Sequence, residues 1–491
     1  MLTNADIAII GGGPVSVTFL YQLEEKLAPQ AKLNIIIFEP SENGAQGYAY
    51  RGDNEALLLN TPLEKMGVSP SYSHEFLDWL QHRYARPVAG EQFVPRYLFG
   101  RYLQEKMDQV VARKNKLHIQ IIQEEAIDCI LGDEQHQVTS KNHRVKANVV
   151  LLSHGGIILP AHSELSERPG YITDIYSTQF DTASIKEDAA VLVLGSGLSM
   201  IDACLLLRQS GKRLKITATS RSAYFPAIKP YQLKEREGEL LVQAAKEYLS
   251  THKNVQIKDL IWFFDTHFSR LLGRAYSLEE KFALYEQALV RSPLVEQDED
   301  ANFLAYFYPY IDSCVDEFWS RFSEDQKQRL SGICRYLIRF ICGFPETNFN
   351  KLQNYFNGQG FVIEKLRALS FKDGHYLAEF QSQPGQIKQY DYVIDCTGMK
   401  GYYHPKNHCH LALNIRARKQ IKIDQEGDLV VNQDGQVYGP ACRSTYSTVY
   451  ALGEGSSGPS FIRGCFSFYI KQAAMAVAAL NRSNKNVKTT V

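Results

Sequence analysis

Asp6-Ile-Ala-Ile-Ile-Gly-Gly-Gly-Pro-Val-Ser16 is the stretch that decides how this chain folds. It combines a short apolar strand, a glycine-rich turn and the start of a helix whose apolar residues recur at helical spacing as far as Leu27. Gly11 permits the tight turn, and Gly13 lets the backbone approach a pyrophosphate. Ser16 stands where a third glycine would bring helix and strand together. The stretch therefore predicts a dinucleotide-binding turn.

The residues after the turn support this interpretation. A second apolar strand, 33–38, follows the helix and ends in Glu39. A carboxylate at that position can accept hydrogen bonds from an adenosine ribose, and the free N–H groups at the helix start favour a phosphate. A glycine-rich turn alone is also compatible with a purely structural turn. The strand, the helix and the acidic strand end together favour a nucleotide site.

The bulk composition limits the classes of function. At 491 residues the chain exceeds one ordinary core, so we expect two or three domains. The 54 basic and 54 acidic side chains cancel, which favours neither nucleic acid nor a membrane as a partner. We expect no signal peptide, and the sequence has no apolar run of the roughly 18 residues of a membrane helix and no CxxC pair among its nine cysteines. We expect a cytoplasmic protein without a redox-active dithiol.

The opening pattern recurs in Ala190-Val-Leu-Val-Leu-Gly-Ser-Gly-Leu-Ser-Met-Ile-Asp202, with Gly195 and Gly197 in the turn. Two copies in one chain are far more specific than one. The second strand of this copy is followed by Ser220 and Arg221 in place of an acid. A carboxylate would repel a ribose 2′-phosphate, whereas a hydroxyl and a guanidinium would hold it. We therefore expect FAD at the first turn and NADPH at the second.

Three segments between the two turns are relevant to the first nucleotide. The loop 43–70 carries Asn60, whose side chain could hydrogen-bond a ring edge, although an ordered surface loop is an equal alternative. Arg96 follows Pro95 near a helix start, where it could reach a phosphate or serve as an ordinary solvated arginine. The strand 147–156 ends in Gly-Gly, and we expect it to return to the first sheet.

Residues 232–350 break the alternation of strands and helices. Their helical periodicity predicts a helical insertion, with aromatic side chains mainly in its core. A strand ends at 390–398, and another at 447–455 leads into a turn that carries Glu454. One stretch invites a zinc interpretation: His404, His408, Cys409 and His410. No second ligand cluster of matching spacing is visible, so we expect a loop and no metal there.

These landmarks resemble the flavoproteins with two dinucleotide-binding domains, in particular the FAD/NAD(P)-binding protein family related to class B flavin monooxygenases and amino-acid N-hydroxylases. The matching pieces are GGGPVS, GYAY, LLLNTP, MGVSP, FVPRYLFGRYL, GSGLSMID, TSRSAYFP, DCTG and YALGEG. The resemblance implies an α/β fold with two Rossmann-like domains, a glutathione-reductase-like FAD domain and an NADP domain, plus the helical insertion. The expected bounds are 1–185 and 399–480 for the FAD domain, 186–231 and 351–398 for the NADP domain, 232–350 for the insertion and 481–491 for a disordered tail.

We expect cofactor contacts at defined positions. The residues expected at FAD are Gly11, Gly13, Pro14, Ser16, Glu39, Asn60, Arg96, Gly453 and Glu454. The residues expected at NADPH are Gly195, Gly197, Ser199, Ser220 and Arg221. The sequence departs from the family pattern at Ser153-His154-Gly155, where Ala-Thr-Gly is usual, and at Glu454, where Asp is usual.

Three functions are compatible with these features. The first is an FAD-dependent, NADPH-using monooxygenase that takes dioxygen and hydroxylates a small metabolite, by family analogy the amine of an amino acid. The second is an NADPH-dependent flavin reductase or dehydrogenase that passes electrons to another acceptor. The third is a non-catalytic flavin-binding sensor or assembly factor. His154 and Arg463 are the candidates for a direct chemical role near the flavin, and each is compatible with a structural role; the oligomeric state stays open.

Overall fold

The structure of the protein is a computed structural model. It describes residues 2–72, 74–84, 93–177, 180–221, 225–230, 232–291, 298–330, 336–339, 341–356, 361–440, 444–458 and 465–487. The chain divides into two compact units. Unit 1 comprises Met1–Glu55, Thr61–Leu159 and Met399–Val491, and unit 2 comprises Ala56–Asn60 and Pro160–Gly398.

Strands and helices alternate along much of the chain. The strands are β1 Leu2–Ile10, β2 Leu33–Phe38, β3 Leu117–Ile122, β4 Asp128–Ile130, β5 His136–Thr139, β6 Arg144–Leu152, β7 Ile157–Ile158, β8 Tyr171–Ile172, β9 Ala190–Leu194, β10 Lys215–Thr219, β11 Ile228–Lys229, β12 Val290–Arg291, β13 Phe344–Pro345, β14 Val362–Glu364, β15 Leu366–Lys372, β16 His375–Phe380, β17 Ile387–Tyr390, β18 Tyr392–Asp395, β19 Met399–Lys400, β20 Leu429–Val430, β21 Gln436–Tyr438, β22 Thr445–Ala451 and β23 Ser456–Ser457. The principal α-helices are α1 Pro14–Lys26, α2 Glu75–Tyr84, α3 Arg96–Arg113, α4 Leu198–Gln209, α5 Glu235–Thr251, α6 Ile257–Leu272, α7 Leu278–Gln287, α8 Glu299–Leu304, α9 Tyr308–Trp319, α10 Glu324–Arg329, α11 Glu346–Phe356, α12 His410–Arg418 and α13 Phe466–Val487. Short 3₁₀ turns lie at Gly44–Gln46, Leu63–Lys65, Thr182–Ser184 and Ala305–Phe307.

The main sheet of unit 1 is organised around β1. Its order is β21-β22-β6-β1-β2-β3, and the hairpin strands β4 and β5 join it through β6. β1 pairs in parallel with β2 and β6, so that Ile10 lies opposite Phe38 and Leu152. β3 and β22 extend the parallel part on either side. The carboxyl ends of these strands therefore meet at one edge, which is where sheets of this kind bind ligands.

The apolar run of β1 explains its central position. Ile7, Ala8 and Ile9 are at most 3% exposed, as expected for a parallel strand that is covered on both faces. Helix α1 packs against α3 and the C-terminal helix α13, and it buries Phe19 and Leu20 completely or nearly so. Burying a side chain of this size contributes about 1.5–3 kcal/mol to folding. This packing fixes the first turn of α1 at the edge of the sheet.

Unit 2 contains a second sheet in the order β12-β14-β10-β9-β18-β8. β9 pairs in parallel with β10 and β18. Helix α4 contributes Ile201 and Leu205 to the core on one face of this sheet. On the other face, Leu192 and Leu194 share a core with Tyr376 of the small sheet β15-β16-β17. The predicted insertion 232–350 is largely helical in its described residues, since it contains α5 to α10.

The expected first domain differs from unit 1 in two places, and one of them is Ala56–Asn60, which belongs to unit 2. The sequence assigns 160–185 to the first domain, whereas the structure assigns these residues to unit 2. β8 extends the second sheet beside β18. In addition, Asp395 Oδ2 accepts hydrogen bonds from Tyr171 Oη at 2.8 Å and from Ala161 N at 2.6 Å. Tyr171 and Ala161 are 224 and 234 residues away from Asp395 in sequence. At such separations no local sequence pattern shows the contact.

The end of the chain also differs from expectation. The sequence predicts a disordered tail at 481–491, but α13 continues to Val487. Leu480 is buried, and Arg482 Nη2 lies 2.8 Å from Asp434 Oδ2 on the turn before β21. This packing and this ion pair anchor the helix beyond its apolar part, so the prediction of disorder is wrong for 481–487. Residues 488–491 lie outside the described residues.

The described part of the chain has neither a membrane-spanning helix nor a metal-binding cluster. There, no helix is both long enough and apolar enough to cross a membrane. Nor do three or more His, Cys, Asp or Glu side chains come together in a way that could hold a metal ion. In the histidine-rich stretch, His404 Nδ1 accepts a hydrogen bond from Lys406 N at 3.2 Å, and Cys409 Sγ lies 3.2 Å from Tyr402 Oη. These contacts are those of an ordered loop.

Candidate functional site

The first glycine turn brings the end of β1 against the end of β6. Gly11 has a φ of +96°, and a Cβ there would lie 2.7 Å from His154 Cα. Glycine meets both requirements, the left-handed backbone and the close approach. Gly13 is the N-cap of α1 and Pro14 its first residue, and a Cβ on Gly13 would meet no atom nearer than Gly44 O at 3.9 Å. The start of α1 therefore has room for an anion at its N–H groups.

Ser16 supports this turn from within the fold. Its side chain is completely buried, and its Oγ donates a hydrogen bond to Gly11 O at 2.6 Å. The Oγ atoms of Ser16 and Ser153 lie 2.7 Å apart, and Ser153 Oγ is 3.0 Å from Gly11 O. The structure thus places Ser16 at the contact of helix and strand; a direct contact with FAD stays a prediction. Sequence reasoning assigned no role to Ser153, because its partner is 137 residues away.

Glu39 is fixed at the carboxyl end of β2. Its Oε2 accepts a hydrogen bond from Gly12 N at 2.8 Å, and its Oε1 accepts one from Ser41 N at 2.9 Å. A Cβ at Gly44 would lie 2.2 Å from Glu39 Cγ, so the glycine leaves room for this side chain. Each carboxylate oxygen has a further lone pair. The group therefore has the capacity to accept ribose hydroxyls; a contact of Glu39 with FAD stays a prediction.

A cavity of about 370 Å³ opens beside Glu39. It is lined by the glycine turn, the 3₁₀ turn at Gly44–Gln46, helix α3 and the carboxyl end of β3. Pockets of this size hold small organic ligands. Gln104 Oε1 is buried and has no hydrogen-bond partner among the described residues, although Gln104 lines the cavity. An orphaned acceptor beside a nucleotide turn fits the adenosine half of FAD.

The turn that carries Glu454 is braced by a buried glutamine. Gly453 has a φ of +87°, and its N–H donates to Gln472 Oε1 at 2.7 Å. Gln472 Nε2 donates to Ser456 Oγ at 2.8 Å, and that hydroxyl donates to Gly453 O at 2.8 Å. Sequence reasoning missed Gln472, because the apolar periodicity of α13 does not distinguish one polar residue from another.

Glu454 lies among tyrosine hydroxyls and one arginine. Burial, together with the hydrogen-bonded Glu454 carboxylate, holds the pKa of Tyr469 well above its usual range. Burial also raises the pKa of Tyr50, on which Arg96 and Glu454 act with opposite signs. Arg96 is the first residue of α3. The structure thus brings Arg96 and Glu454 to one part of unit 1, and a phosphate contact by Arg96 stays a prediction.

His154 is hydrogen-bonded through both ring nitrogens. Nδ1 lies 3.0 Å from Gly155 O, and Nε2 lies 2.8 Å from Tyr403 Oη. Because a carbonyl only accepts, Nδ1 carries the proton and Nε2 accepts from the tyrosine. The Tyr402 ring lies 4.0 Å from the imidazole, centre to centre. Burial lowers the pKa of His154 to about 4, so the ring is neutral at physiological pH. These contacts favour a positioning role, and Arg463 lies outside the described residues.

Asn60 belongs to unit 2, where its carbonyl binds a buried lysine. Lys229 Nζ donates to Asn60 O at 2.6 Å and lies 3.9 Å from the centre of the Tyr308 ring. Lys229 is 3% exposed. A carbonyl and an aromatic face partly replace the water that such an ammonium loses. Sequence reasoning missed Lys229, because the two-residue strand β11 has no detectable period. The predicted ring contact of the Asn60 side chain stays a prediction.

The second glycine turn repeats the geometry of the first. Gly195 has a φ of +104°, a Cβ there would lie 2.4 Å from Cys396 O, and its N–H donates to Thr219 O at 2.7 Å. Gly197 is the N-cap of α4. Between the two glycines, Ser196 is 3% exposed, and its Oγ has no hydrogen-bond partner among the described residues. A buried hydroxyl without a partner beside a helix N-terminus fits a phosphate group.

Methionine occupies the third position of this turn. Met200 is buried in the core of unit 2, with its Sδ 3.8 Å from Cys204 Sγ. The helix–sheet core therefore accommodates its bulk. Ser199 precedes it, and the Ser199 carbonyl lies 3.4 Å from Cys396 Sγ. A nucleotide contact by the Ser199 side chain stays a prediction.

Ser220 and Arg221 follow β10 at the edge of the second sheet. Ser220 N donates to Glu364 O at 3.3 Å, and the Arg221 side chain is exposed. The side chain of Glu364 is buried, and its carboxylate is bound by Lys388 Nζ and Ser382 Oγ, each at 2.7 Å. Lys388 thus offsets the negative charge of Glu364, and a contact of Ser220 and Arg221 with a ribose 2′-phosphate stays a prediction.

Each unit thus has a glycine turn between a parallel strand and a helix, the local geometry of a dinucleotide-binding turn. Residues 8–156 match the model of the FAD-NAD(P)-binding family. Over 355 residues the chain is 24% identical to an uncharacterized protein of Mycobacterium tuberculosis (strain ATCC 25618 / H37Rv), a match that covers 60% of this chain and 65% of the relative. The match therefore spans less than two thirds of the length of this curated relative.

Two solved structures share the fold over nearly the whole chain. L-lysine 6-monooxygenase from Pseudomonas syringae is 16% identical, with a TM-score of 0.62 and coverage of 98% of this chain and 99% of that one. The ornithine N-hydroxylase of Kutzneria sp. 744, in a structure with reduced FAD, NADP⁺ and L-ornithine, is 13% identical, with a TM-score of 0.61 and coverage of 98% and 100%. The predicted α/β fold of two-dinucleotide flavoproteins is confirmed, as is the FAD/NAD(P)-binding class of residues 8–156.

The neutral state of His154 has a consequence for stability. Between pH 6.5 and 4 the unfolded chain binds a proton at this residue that the folded protein does not, so the free energy of unfolding falls as pH falls. Between these two pH values the titration of His154 lowers the free energy of unfolding by about 3 kcal/mol in total. The substitution His154→Gln removes this pH-dependent contribution. The difference between the unfolding free energies of the wild type and the variant should therefore become smaller from pH 7 to pH 4, because the wild type alone loses stability through His154. Chemical denaturation at several pH values measures the gap.

Tyr403→Phe is the matched control for this experiment. It removes the hydroxyl that contacts Nε2 but leaves the ring buried, and burial is the main cause of the low pKa. We expect its pH dependence to follow the wild type. Parallel loss of stability in the wild type and the His154→Gln variant would show that His154 titrates normally.

Proposed function

We propose that this protein is an FAD-dependent monooxygenase that uses NADPH and dioxygen to hydroxylate the amine of a small metabolite. The observation that carries the proposal is the presence of two glycine turns in one chain, at Gly11 and Gly195, each at the carboxyl edge of its own parallel sheet. The likeness of the fold to a lysine 6-monooxygenase and an ornithine N-hydroxylase supports the choice of an amine as substrate.

FAD is assigned to the turn in unit 1. The N–H groups at Gly13 and the start of α1 would bind its phosphates, Glu39 its adenosine ribose, and the cavity beside Glu39 its base. When bound, FAD supplies the redox chemistry, since it takes two electrons from NADPH and passes them to dioxygen. The chain itself binds and orients the cofactor and excludes water.

NADPH is assigned to the turn in unit 2. The buried Ser196 hydroxyl and the N–H groups at the start of α4 would bind its pyrophosphate, and Ser220 with Arg221 its 2′-phosphate. In the overall reaction, one oxygen atom of dioxygen enters the amine as a hydroxyl group and the other leaves as water. NADPH and one proton are consumed. His154 is neutral at physiological pH, so it supplies no proton from an imidazolium.

The coupling of NADPH oxidation to product tests the reaction class. The FAD-loaded protein is given NADPH and ¹⁸O₂ with a panel of amino acids and diamines, and NADPH, hydrogen peroxide and hydroxylated amine are measured. We expect one amine to lower the peroxide yield and to acquire one ¹⁸O atom for each NADPH consumed. NADPH oxidation that responds to a quinone or a disulfide, and to no amine, would indicate a reductase. Absence of NADPH oxidation under all conditions would favour a non-catalytic role.

Arg221 tests the assignment of the second nucleotide. Arg221→Ala should weaken the binding of NADPH by about tenfold or more and leave the binding of NADH nearly unchanged. The reason is that the guanidinium would pair with the 2′-phosphate, which NADH lacks. The measurement is the dependence of the flavin reduction rate on each nucleotide. Arg213→Ala is the control, since Arg213 is an exposed arginine of the same unit that pairs with Glu187. Equal losses for NADPH and NADH would contradict the 2′-phosphate role.

A further inference from the structure

Strand β3 forms one outer edge of the main sheet of unit 1. On its inner side it pairs in parallel with β2. Lys116 O accepts a hydrogen bond from Leu33 N at 2.9 Å. Because the direction of the backbone groups alternates along a strand, this bond also fixes which residues of β3 point their N–H and C=O groups away from β2. They are Leu117, Ile119 and Ile121, and no described strand pairs with them on that side.

The other sheet edges in the described part of the chain are short or charged. β4 and β21 have three residues each, and β8, β12 and all strands of the two-stranded sheets have two. The longer edge strand β15 carries Arg367 and Lys372, and β17 carries Lys388. Proteins use shortness and charge to keep sheet edges from pairing with other chains. β3 has six residues and contains no Lys, Arg, Asp, Glu or Pro, so it lacks this protection.

The side chains of β3 leave apolar surface at this edge. Leu117, Ile119 and Ile121 share one face of the strand. Leu117 is buried, Ile119 is half-buried and Ile121 is 41% exposed. On the other face, His118 and Gln120 are exposed. Free backbone groups beside exposed isoleucines are the features of an edge that accepts a further strand.

The charges that flank β3 indicate which strand it accepts. Lys114 and Lys116 precede the strand, and Glu124 and Glu125 follow it. In an antiparallel pair of two copies with Ile119 opposite its own counterpart, the basic end of one copy lies beside the acidic end of the other. A parallel pair would instead bring like charges together. The sequence around β3 is therefore complementary in charge to a second copy of itself.

We propose that β3 is a dimer interface, at which two copies of this chain pair their β3 strands antiparallel about a two-fold axis at Ile119. Leu117 of each copy lies opposite Ile121 of the other, and each of these pairs exchanges both backbone hydrogen bonds. The pairs on this face are all apolar, and His118 lies opposite Gln120 on the other face. The contact is self-complementary and closes at two copies. It does not depend on the activity proposed above.

Charge substitutions at the two-fold axis test the dimer. The association of the full-length protein is measured by sedimentation equilibrium over a range of concentrations, and we expect a wild-type dimer. Ile119→Lys places two ammonium groups opposite each other, and Ile119→Glu two carboxylates. Each variant alone should raise the dissociation constant of the dimer by about tenfold or more. An equimolar mixture of the two variants should associate again, because opposite charges then face each other.

The mixture also distinguishes a lost interface from a damaged fold, since a misfolded chain would not regain association. Ile130→Lys is the matched control. Ile130 is a 37% exposed isoleucine on β4, a short edge strand of the same unit, and this variant should dimerise as the wild type does. Circular dichroism verifies that each variant is folded.

Three results would overturn the proposal. The first is a monomeric wild type, which would leave the edge of β3 to a strand of a different protein. The second is a dimer that persists unchanged in both Ile119 variants, which would place the interface elsewhere on the chain. The third is a mixture that associates no better than either variant alone, which would remove the two-fold axis from Ile119.

Discussion

The close approach of two backbones at Gly11 is the constraint on which the first unit depends. The chain leaves β1 there with a positive φ, and a Cβ at this position would lie 2.7 Å from the backbone of His154 at the end of β6. The carbonyl of the same glycine is contacted by the hydroxyls of Ser16 and Ser153. Turn, helix and neighbouring strand are thus fixed to one another. Glu39 owes its position to the same arrangement, because it binds the N–H of Gly12.

The second unit applies the same constraint to a different ligand chemistry. Gly195 approaches the carbonyl of Cys396 at the end of β18 as Gly11 approaches the end of β6. What differs is the end of the next strand, where a carboxylate stands in the first unit, and a hydroxyl with a guanidinium in the second. In the proposed assignment the backbone of both turns would bind a pyrophosphate. The side chains at the strand end would then distinguish one ribose from another.

The sequence predicts those parts of the fold and site that depend on local pattern. Both glycine turns, Glu39, the helical insertion and the strand leading to Glu454 follow from periodicity and turn chemistry. The contacts of Ser153, Gln472 and Lys229 do not, because each depends on a partner that is distant in sequence. The assignment of 160–185 to the first domain fails for the same reason: Tyr171 pairs with a carboxylate 224 residues away. The helix that continues to Val487 makes an ion pair with a residue 48 positions away in sequence, which no local pattern shows.

The central claim is that one chain binds FAD and NADPH and passes electrons from the second to the first. The most direct test is anaerobic mixing of the purified, FAD-loaded protein with NADPH while flavin absorbance is recorded. Our account predicts one tightly bound FAD per chain and loss of the oxidised-flavin band with one equivalent of NADPH. A protein that retains no FAD, or whose bound FAD stays oxidised in excess NADPH, would contradict it.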